Sequence, residues 1–338
     1  MKKVSLKDVA LKAGVSTALV SYVLNDKMKG RISKESIEKV QKAAEELDYR
    51  PNHIAQSLKR QKTSSIGLIL SDIANPFSSY IARIIEDEAQ KRGFTLIIGS
   101  SDENALKSQR LIDLFVNRQV EGIIISPVEN TAEQIKELKK THIPFVLLDR
   151  YFPELSTDNI GLDNYKASCM ATEHLLSIGR KRIGIIAYES SLYHLGERIR
   201  GYEETLKKNS IPIIDGLIAQ VSIDSINEDV EKAISNFLSE GIQADAILFT
   251  SNKLAVAGLK VLMERGIKIP DQLSIVSFDE TDAFDLFYAP LTYIRQPLAL
   301  MGISAMKVLL NKINSIPPEP VSTLFDAELV IRQSSITH

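Results

Sequence analysis

One cysteine, no membrane-length apolar run and no familiar catalytic signature set the first limits on this 338-residue chain. Cys169 stands alone, so no internal disulfide can form, and its simplest role is that of a small hydrophobe on a helix. No stretch approaches the ~18 consecutive apolar residues that would span a bilayer. The segment Met1–Ala10 lacks the apolar core of a secretory signal. The cytoplasm is therefore the expected compartment, with no membrane partner. Gly-x-Gly-x-x-Gly, a Walker phosphate loop, Gly-x-Ser-x-Gly and His-Glu-x-x-His are all missing. The five histidines, His53, His142, His174, His194 and His338, show no metal-ligand spacing, and each reads as a surface or packing residue. These absences argue against an enzyme and against a metal or other cofactor.

What is present is a charge asymmetry. The formal net charge is only −2. Yet residues 1–62 hold 14 Lys and Arg against 7 Asp and Glu, and the rest of the chain holds 27 against 36. A basic head on an acidic body is the pattern of a nucleic-acid-binding arm joined to a regulatory domain. The length agrees, because 338 residues exceed one core of usual size and imply two or three domains.

The head reads as three short helices. Ser5 followed by Asp8 is a capping-box pattern, and Leu6, Val9, Ala10 and Ala13 make one apolar stripe. Gly14 suits a left-handed helix end. Ser16 can cap a second helix at once, with Leu19, Val20, Val23 and Leu24 inward. A third helix from Ser33 buries Ile37, Val40, Ala44 and Leu47 and stops before Arg50-Pro51. A turn of about three residues between the first two is helix-turn-helix spacing. The second helix turns Thr17, Ala18, Ser21, Tyr22 and Asn25 outward, small or hydrogen-bonding residues that can approach base edges in a major groove. Lys2, Lys3, Lys27, Lys29, Arg31 and Lys34 flank it and can meet phosphates. The same spacing also occurs in small helical domains that bind protein.

The run from Leu6 to Asn25 (LKDVALKAGVSTALVSYVLN) resembles the start of the LacI/GalR family of transcription regulators, and Tyr49 to Leu58 (YRPNHIAQSL) is similar to that family's third-helix exit and hinge helix. The resemblance implies that Thr17, Ala18 and Tyr22 face bases, and the expected DNA-binding set adds Ser16, Ser21, Asn25, Arg31 and Asn52. It also implies that Ala55 packs close to the duplex while Leu58 wedges into the minor groove. An apolar wedge unstacks one base step for a few kcal/mol, and the kink allows more contact elsewhere. Residues 52–60 make about two turns, too short to be a stable helix alone, so this segment is expected to order on DNA.

From Ile66 the pattern changes to short apolar strands alternating with amphipathic helices. Ile66–Leu70, Thr95–Ile98, Gly122–Ile125 and Phe145–Leu148 read as buried parallel strands, with helices at about 77–92, 104–118 and 131–141. The pattern then recurs. Residues 66–70 (IGLIL) match 183–187 (IGIIA), 122–127 (GIIISP) match 246–251 (AILFTS), and 144–149 (PFVLLD) match 273–279 (LSIVSFD). Two such units predict two doubly wound parallel-sheet lobes, with a ligand cleft where the strand ends face each other. Asp149 and Asp279 both end a strand, and two carboxylates in one cleft suit a polyhydroxylated ligand. Asn75 and Phe77 after the first strand, Arg150, Arg198 of the Arg-x-x-Gly-Tyr segment at a helix start, Asn252 and Gln296 complete the candidate set. Each also has a plainer reading: Asn252 as a helix cap, Phe77 as core, Asp149 as a partner for Arg150.

The family's sensor is similar to periplasmic sugar-binding proteins, and the resemblance implies that these eight positions contact an effector. A sugar or sugar derivative is the default implied; a purine-like molecule also occurs within the family. Ser78 stands where the family often has a second aromatic, and Lys253 follows Asn252 where Asp is common. The organisation expected is a helix-turn-helix domain at 1–51, a hinge helix and linker at 52–62, and an effector-binding domain at 63–338. Lobe one is placed at about 63–162 and 295–318, lobe two at about 163–291 and 321–333. Tyr293–Gln296 is one expected crossing strand, Pro317-Pro318 marks the last crossing, and Phe325–Ile331 the last strand. The function implied is a repressor that binds near-palindromic double-stranded operator DNA as a homodimer, controlled by a small molecule. An enzyme and a secreted binding protein are the rival readings.

Overall fold

A computed structural model describes residues 4–24, 31–49, 63–314 and 319–336. The chain divides into two compact units, residues 1–63 and 64–338. In the first, α1 (Leu6–Ala13), α2 (Thr17–Leu24) and α3 (Lys34–Glu46) enclose a small core of Val9, Ala10, Val20, Val40, Ala43 and Ala44. Local chemistry sets the helix ends. The Asp8 carboxylate accepts from the Ser5 amide at 2.8 Å while the Ser5 hydroxyl accepts from the Asp8 amide, which satisfies two helix-start donors. Gly14 closes α1 at φ 66°, and Ser16 accepts from the Leu19 amide to open α2 three residues later. The spacing expected between the two helices is therefore present. Ile37 and Leu47, expected inside, are only half-buried, and Ala43 takes the core position.

The second unit holds two six-stranded sheets. The first has the order β11-β5-β4-β3-β1-β2, all parallel, from β1 (Ser65–Leu70), β2 (Thr95–Ser100), β3 (Gly122–Ile125), β4 (Phe145–Leu148), β5 (Asn159–Leu162) and β11 (Ser322–Phe325). The second has the order β12-β10-β9-β8-β6-β7, from β6 (Ile183–Tyr188), β7 (Ile218–Val221), β8 (Ala246–Phe249), β9 (Ser274–Phe278), β10 (Thr292–Arg295) and β12 (Glu328–Val330). Only β12 runs antiparallel. Strand order reverses beside β1 in one sheet and beside β6 in the other, which are the positions where open α/β sheets bind ligands. Helices α4 (Pro76–Lys91), α5 (Ala105–Asn117), α6 (Ala132–Lys140) and α12 (Leu298–Ile313) cover the first sheet. The second is covered by α7 (Asn164–Ser177), α8 (Tyr193–Lys208), α9 (Ile226–Phe237) and α10 (Asn252–Glu264), with the short α11 (Ala283–Leu286) following β9. Each sheet thus has an apolar layer on both faces, which is why its central strands are apolar throughout.

The chain crosses between lobes three times, at 163, at 296–297 and at 326–327. Three boundaries differ from the sequence reading. The stretch assigned to lobe two as 321–333 is split: Ser322–Phe325 pairs with β5 of the first lobe, and only Glu328–Val330 reaches the second. A single strand Phe325–Ile331 is thus replaced by two short ones around Asp326-Ala327, and Pro317-Pro318, the expected crossing, lies outside the described residues. Tyr293–Gln296 does not itself cross, since β10 stays in the second sheet. Thr95–Ser100 is not a buried strand but a half-exposed edge, which apolar content alone does not reveal.

The internal repeat has a packing cause. A Cβ on Gly67 of β1 would lie 2.3 Å from the Phe115 ring, and one on Gly184 of β6 would lie 2.5 Å from the Phe237 ring. Each glycine lets a buried phenylalanine from the covering helix lie against the strand. Gly184→Ala is therefore expected to destabilise the second unit by about 1–3 kcal/mol through overpacking, read as a lower urea midpoint at unchanged slope.

Candidate functional site

The outward side of α2 presents Thr17, Ala18 and Tyr22 to solvent, with Tyr22 39% exposed, while Val20 is fully buried on the opposite side. Ser16 is exposed, Ser21 half-buried, and Arg31 exposed just before α3. No residue of α2 is charged, so nothing on it repels or blocks close approach. Asn25, Asn52, Ala55, Leu58 and the 52–60 hinge lie outside the described residues.

The second site is the edge where both sheets end. Asp149 and Asp279 leave β4 and β9 in the same way. Each takes a left-handed conformation, φ 67° and 68°, and donates its amide to a neighbouring strand, to the Ile160 and Ile294 carbonyls respectively. Asp tolerates that conformation better than most residues, and it turns both carboxylates out of their sheets. Both are buried. Burial holds the Asp149 carboxyl up, to about 6, against the lowering effect of Arg150 and Arg198 and with the help of Asp279 and Glu103. Asp279 accepts from Gln296 Nε2 at 2.7 Å.

Arg198 lies in the second turn of α8 rather than at its start. Its Nε donates to Asn164 Oδ1 at 2.8 Å, its Nη1 to the Thr250 carbonyl, and its guanidinium lies 4.2 Å from the Phe278 ring centre. The Arg-x-x-Gly-Tyr segment explains its placement. A Cβ on Gly201 would meet the Tyr165 carbonyl at 2.4 Å, so glycine there lets α7 approach α8 closely. The Ser168 hydroxyl then bonds the Arg198 carbonyl, and Tyr202 donates to the Ile183 carbonyl at 2.6 Å. Burial pulls the Arg198 guanidinium below its ordinary range, and the two aspartates oppose that pull.

Across the cleft, Arg150 makes a two-pronged pair with Glu103, both bonds at 2.7 Å, and its Nε stands 3.8 Å from Asp149. The lobes also touch directly. Asn252 Nδ2 donates to Asn75 Oδ1 at 3.2 Å, Lys253 pairs with Asp72, and the Ser191 hydroxyl donates to Glu129 at 2.6 Å. Tyr151 and Tyr193 face each other from opposite lobes at 5.4 Å. A cavity of about 120 Å³ opens between Arg150, Glu103, Tyr188, Asn75 and Lys253. Phe77 is elsewhere. It packs against the first-lobe core and borders a groove of about 360 Å³ with Tyr80, Leu298, Asp279 and Gln296. The structure therefore gathers Asn75, Asp149, Arg150, Arg198, Asn252, Asp279 and Gln296 at the strand ends, and sets Phe77 toward the crossings.

Buried polar atoms without a hydrogen-bond partner concentrate here: Ser126 Oγ, Asp149 Oδ1, Arg150 Nε, Thr250 Oγ1, Asn252 Oδ1 and Gln296 Oε1. Leaving such a group without any partner costs about 1–3 kcal/mol each, so water or a ligand is needed to complete them. Ser126 and Thr250 were not among the expected residues, although they hold matching positions in the segments 122–127 and 246–251 that the repeat pairs. His194 was read as a surface or packing residue. The packing half of that reading holds, since His194 is 5% exposed, on the same face of α8 as Arg198. Burial first, then the charges of Arg150 and Arg198, hold its imidazole well below the usual histidine range, so it is neutral. Glu103, Glu129 and Ser191 carried no signal beyond their place in loops after strands.

Residues 63–334 match the family of periplasmic binding proteins and sugar-binding domains of the LacI family, and residues 5–52 match the bacterial regulatory proteins of the lacI family. The chain belongs to the LacI family. Its curated relatives include the transcriptional repressor CytR of Escherichia coli K12, 32% identical over 98% of this chain and 96% of that one. The probable regulator EndR of Paenibacillus polymyxa is also 32% identical, over 92% and 91%. Among solved structures, a lac repressor dimer bound to operator and the anti-inducer ONPF aligns at TM-score 0.86, with 25% identity over 99% of this chain and 100% of that one. A complex of the regulator CelR with cellobiose aligns at 0.74, also at 25% identity, over 98% and 100%. This LacI-family chain is a transcriptional regulator and not an enzyme, with a helix-turn-helix head and a periplasmic-binding-protein-like sensor. Among the described residues no helix is long and apolar enough to cross a membrane.

Proposed function

We propose that this regulator represses transcription in the cytoplasm by binding a near-palindromic operator as a homodimer, and that a sugar or sugar derivative in the inter-lobe cleft controls it. The observation that carries the effector half is the set of partnerless buried polar atoms at the carboxyl ends of both sheets. The DNA half rests on the uncharged, outward-facing residues of α2 and on the basic head. Ser16, Thr17, Ala18, Ser21 and Tyr22 read bases, Arg31 meets phosphate, and Asn25, Asn52, Ala55 and Leu58 complete the DNA contact as the family resemblance implies. Asn75, Asp149, Arg150, Arg198, Asn252, Asp279 and Gln296 hold the effector, with Phe77 closing the far end. A two-fold dimer matches two half-sites about one helical turn apart.

The test is operator selection from random duplex DNA with the full chain, followed by titration of sugars into the purified complex. Recovery of a two-fold symmetric site whose occupancy changes with one sugar supports the reading. Recovery of no sequence removes it. Operator affinity is expected to fall by roughly 10³ or more between 50 and 200 mM salt, because phosphate contacts release counterions.

A further inference from the structure

The unfilled hydrogen-bonding capacity of the cleft points to one kind of effector. We infer that the cleft selects an uncharged, donor-rich polyol and rejects its phosphorylated or carboxylated forms. This rests on the proposed function and narrows it.

The orientation of the cleft amides follows from their partners. Asn75 Oδ1 accepts from the Phe77 backbone amide at 3.1 Å, which leaves Asn252 only its Nδ2 to offer Asn75. Asn252 Oδ1 is therefore the free atom. Gln296 must turn its Nε2 to the Asp279 carboxylate, so Gln296 Oε1 is free in the same way. With Asp149 Oδ1, three oxygens that can only accept, or accept when ionised, face no donor. The Ser126 and Thr250 hydroxyls can serve either role, and only Arg150 Nε must donate. Sugar hydroxyls supply the missing donors. A phosphate ester replaces one hydroxyl donor with acceptor oxygens, so the cleft oxygen that this hydroxyl would have met stays unpaired.

Charge points the same way. Asp72, Glu103, Glu129, Asp149 and Asp279 face three cations, and each cation is already engaged. Both terminal nitrogens of Arg150 are held by Glu103. Arg198 has Nε and Nη1 on Asn164 and Thr250. Lys253, standing where the family commonly has Asp, is spent on Asp72 across the cleft. His194, buried and neutral, adds no positive charge. An anion entering here would meet surplus carboxylates without a free guanidinium fork to receive it.

The experiment is calorimetric titration and thermal shift on the full-length protein. The probes are ribose, xylose, glucose, cellobiose and uridine, with ribose 5-phosphate, glucose 6-phosphate, glucuronate, glucosamine and inorganic phosphate. The expected result is saturable binding of at least one neutral probe. Its phosphate or acid form should bind roughly 100-fold or more weakly, the scale that a like-charge clash sets. Glucosamine should stay close to glucose. A phosphorylated or carboxylated probe that binds as tightly as its neutral parent, or inorganic phosphate that competes with a neutral probe, overturns the inference and leaves the effector reading standing. Silence from every probe, on protein that still binds operator, removes the effector reading and this inference with it.

Discussion

Asp149→Asn is expected to make the unliganded protein more stable at pH 8 and deaf to its effector. The carboxyl titrates at about 6 when folded, against an ordinary 3.8, chiefly because it is buried. Below pH 4 the group is protonated in both states and costs nothing. Between pH 3.8 and about 6 the unfolded chain ionises this group freely while the folded chain keeps it protonated, so stability falls across that window and levels off above it. The full difference amounts to about 3 kcal/mol. Asparagine mimics the protonated acid, tolerates φ 67°, and should return up to that amount at pH 8 and almost none at pH 4. Urea melts of both proteins at the two pH values measure this. The same change removes the charge and replaces one carboxylate oxygen with an amide NH2, which leaves a single acceptor where Asp149 offers two, so a titration that saturates the parent should show much less heat with the variant. A variant less stable than the parent at pH 8 would mean that the Asp149 charge is needed beside Arg150 and Arg198 more than burial opposes it. Stability given up at a binding residue is the expected mark of a functional site.

Local rules made the head and the sheets legible, and long-range geometry accounts for what was missed. The Ser5–Asp8 box, Gly14 and Ser16 are signals within four residues, and each reappears as a named bond or angle. The repeat of 66–70 with 183–187 pointed to two sheets because one packing need, a glycine under a phenylalanine, recurs in both lobes. Asp149 and Asp279 were legible as paired strand-end residues because the repeat aligns them, and the structure gives both the same left-handed turn. The last strand was misjudged because β11 and β12 are short, half-exposed and separated by two residues, so nothing local says that they serve different sheets. Glu103, Glu129 and Ser191 were missed for a related reason. Glu129 and Ser191 meet only when the second lobe is folded against the first, and Glu103 meets Arg150 within the first lobe, in each case a contact between positions about 40 or more apart in the chain. Lys253 is the instructive middle case. Its departure from the family pattern was visible, but its meaning, a tie to Asp72 across the cleft, needed the fold.

Arg198→Ala should produce the largest loss. Arg198 is buried, feels the charges of Asp279 and Asp149 without a direct ion pair to either, and holds Asn164, the Thr250 carbonyl and the Phe278 ring. Its removal takes a cation away from two buried carboxylates and leaves the Asn164 oxygen and the Thr250 carbonyl without their buried donor, at about 1–3 kcal/mol for each group left unpaired. The signature is its pH dependence. Without Arg198 nothing in the second lobe offsets the burial of Asp149, so that carboxyl should titrate still higher and the deficit should be greatest at pH 8, shrinking as the pH falls below 6. Arg198→Lys should not rescue it, because an ammonium cannot bond Asn164 and Thr250 in the same fork or lie flat on Phe278. In the double variant Asp149→Asn with Arg198→Ala, much of the pH-dependent part should vanish, since the charge that needed Arg198 is gone. A loss equal at pH 5 and pH 8, or one restored by lysine, would show that Arg198 acts by filling space. The head is a separate compact unit, so operator binding should persist wherever the sensor remains folded, with the effector response absent. That combination marks a cation whose task is to hold two carboxylates in readiness for a ligand, which joins the strand-end chemistry of both lobes into one switch.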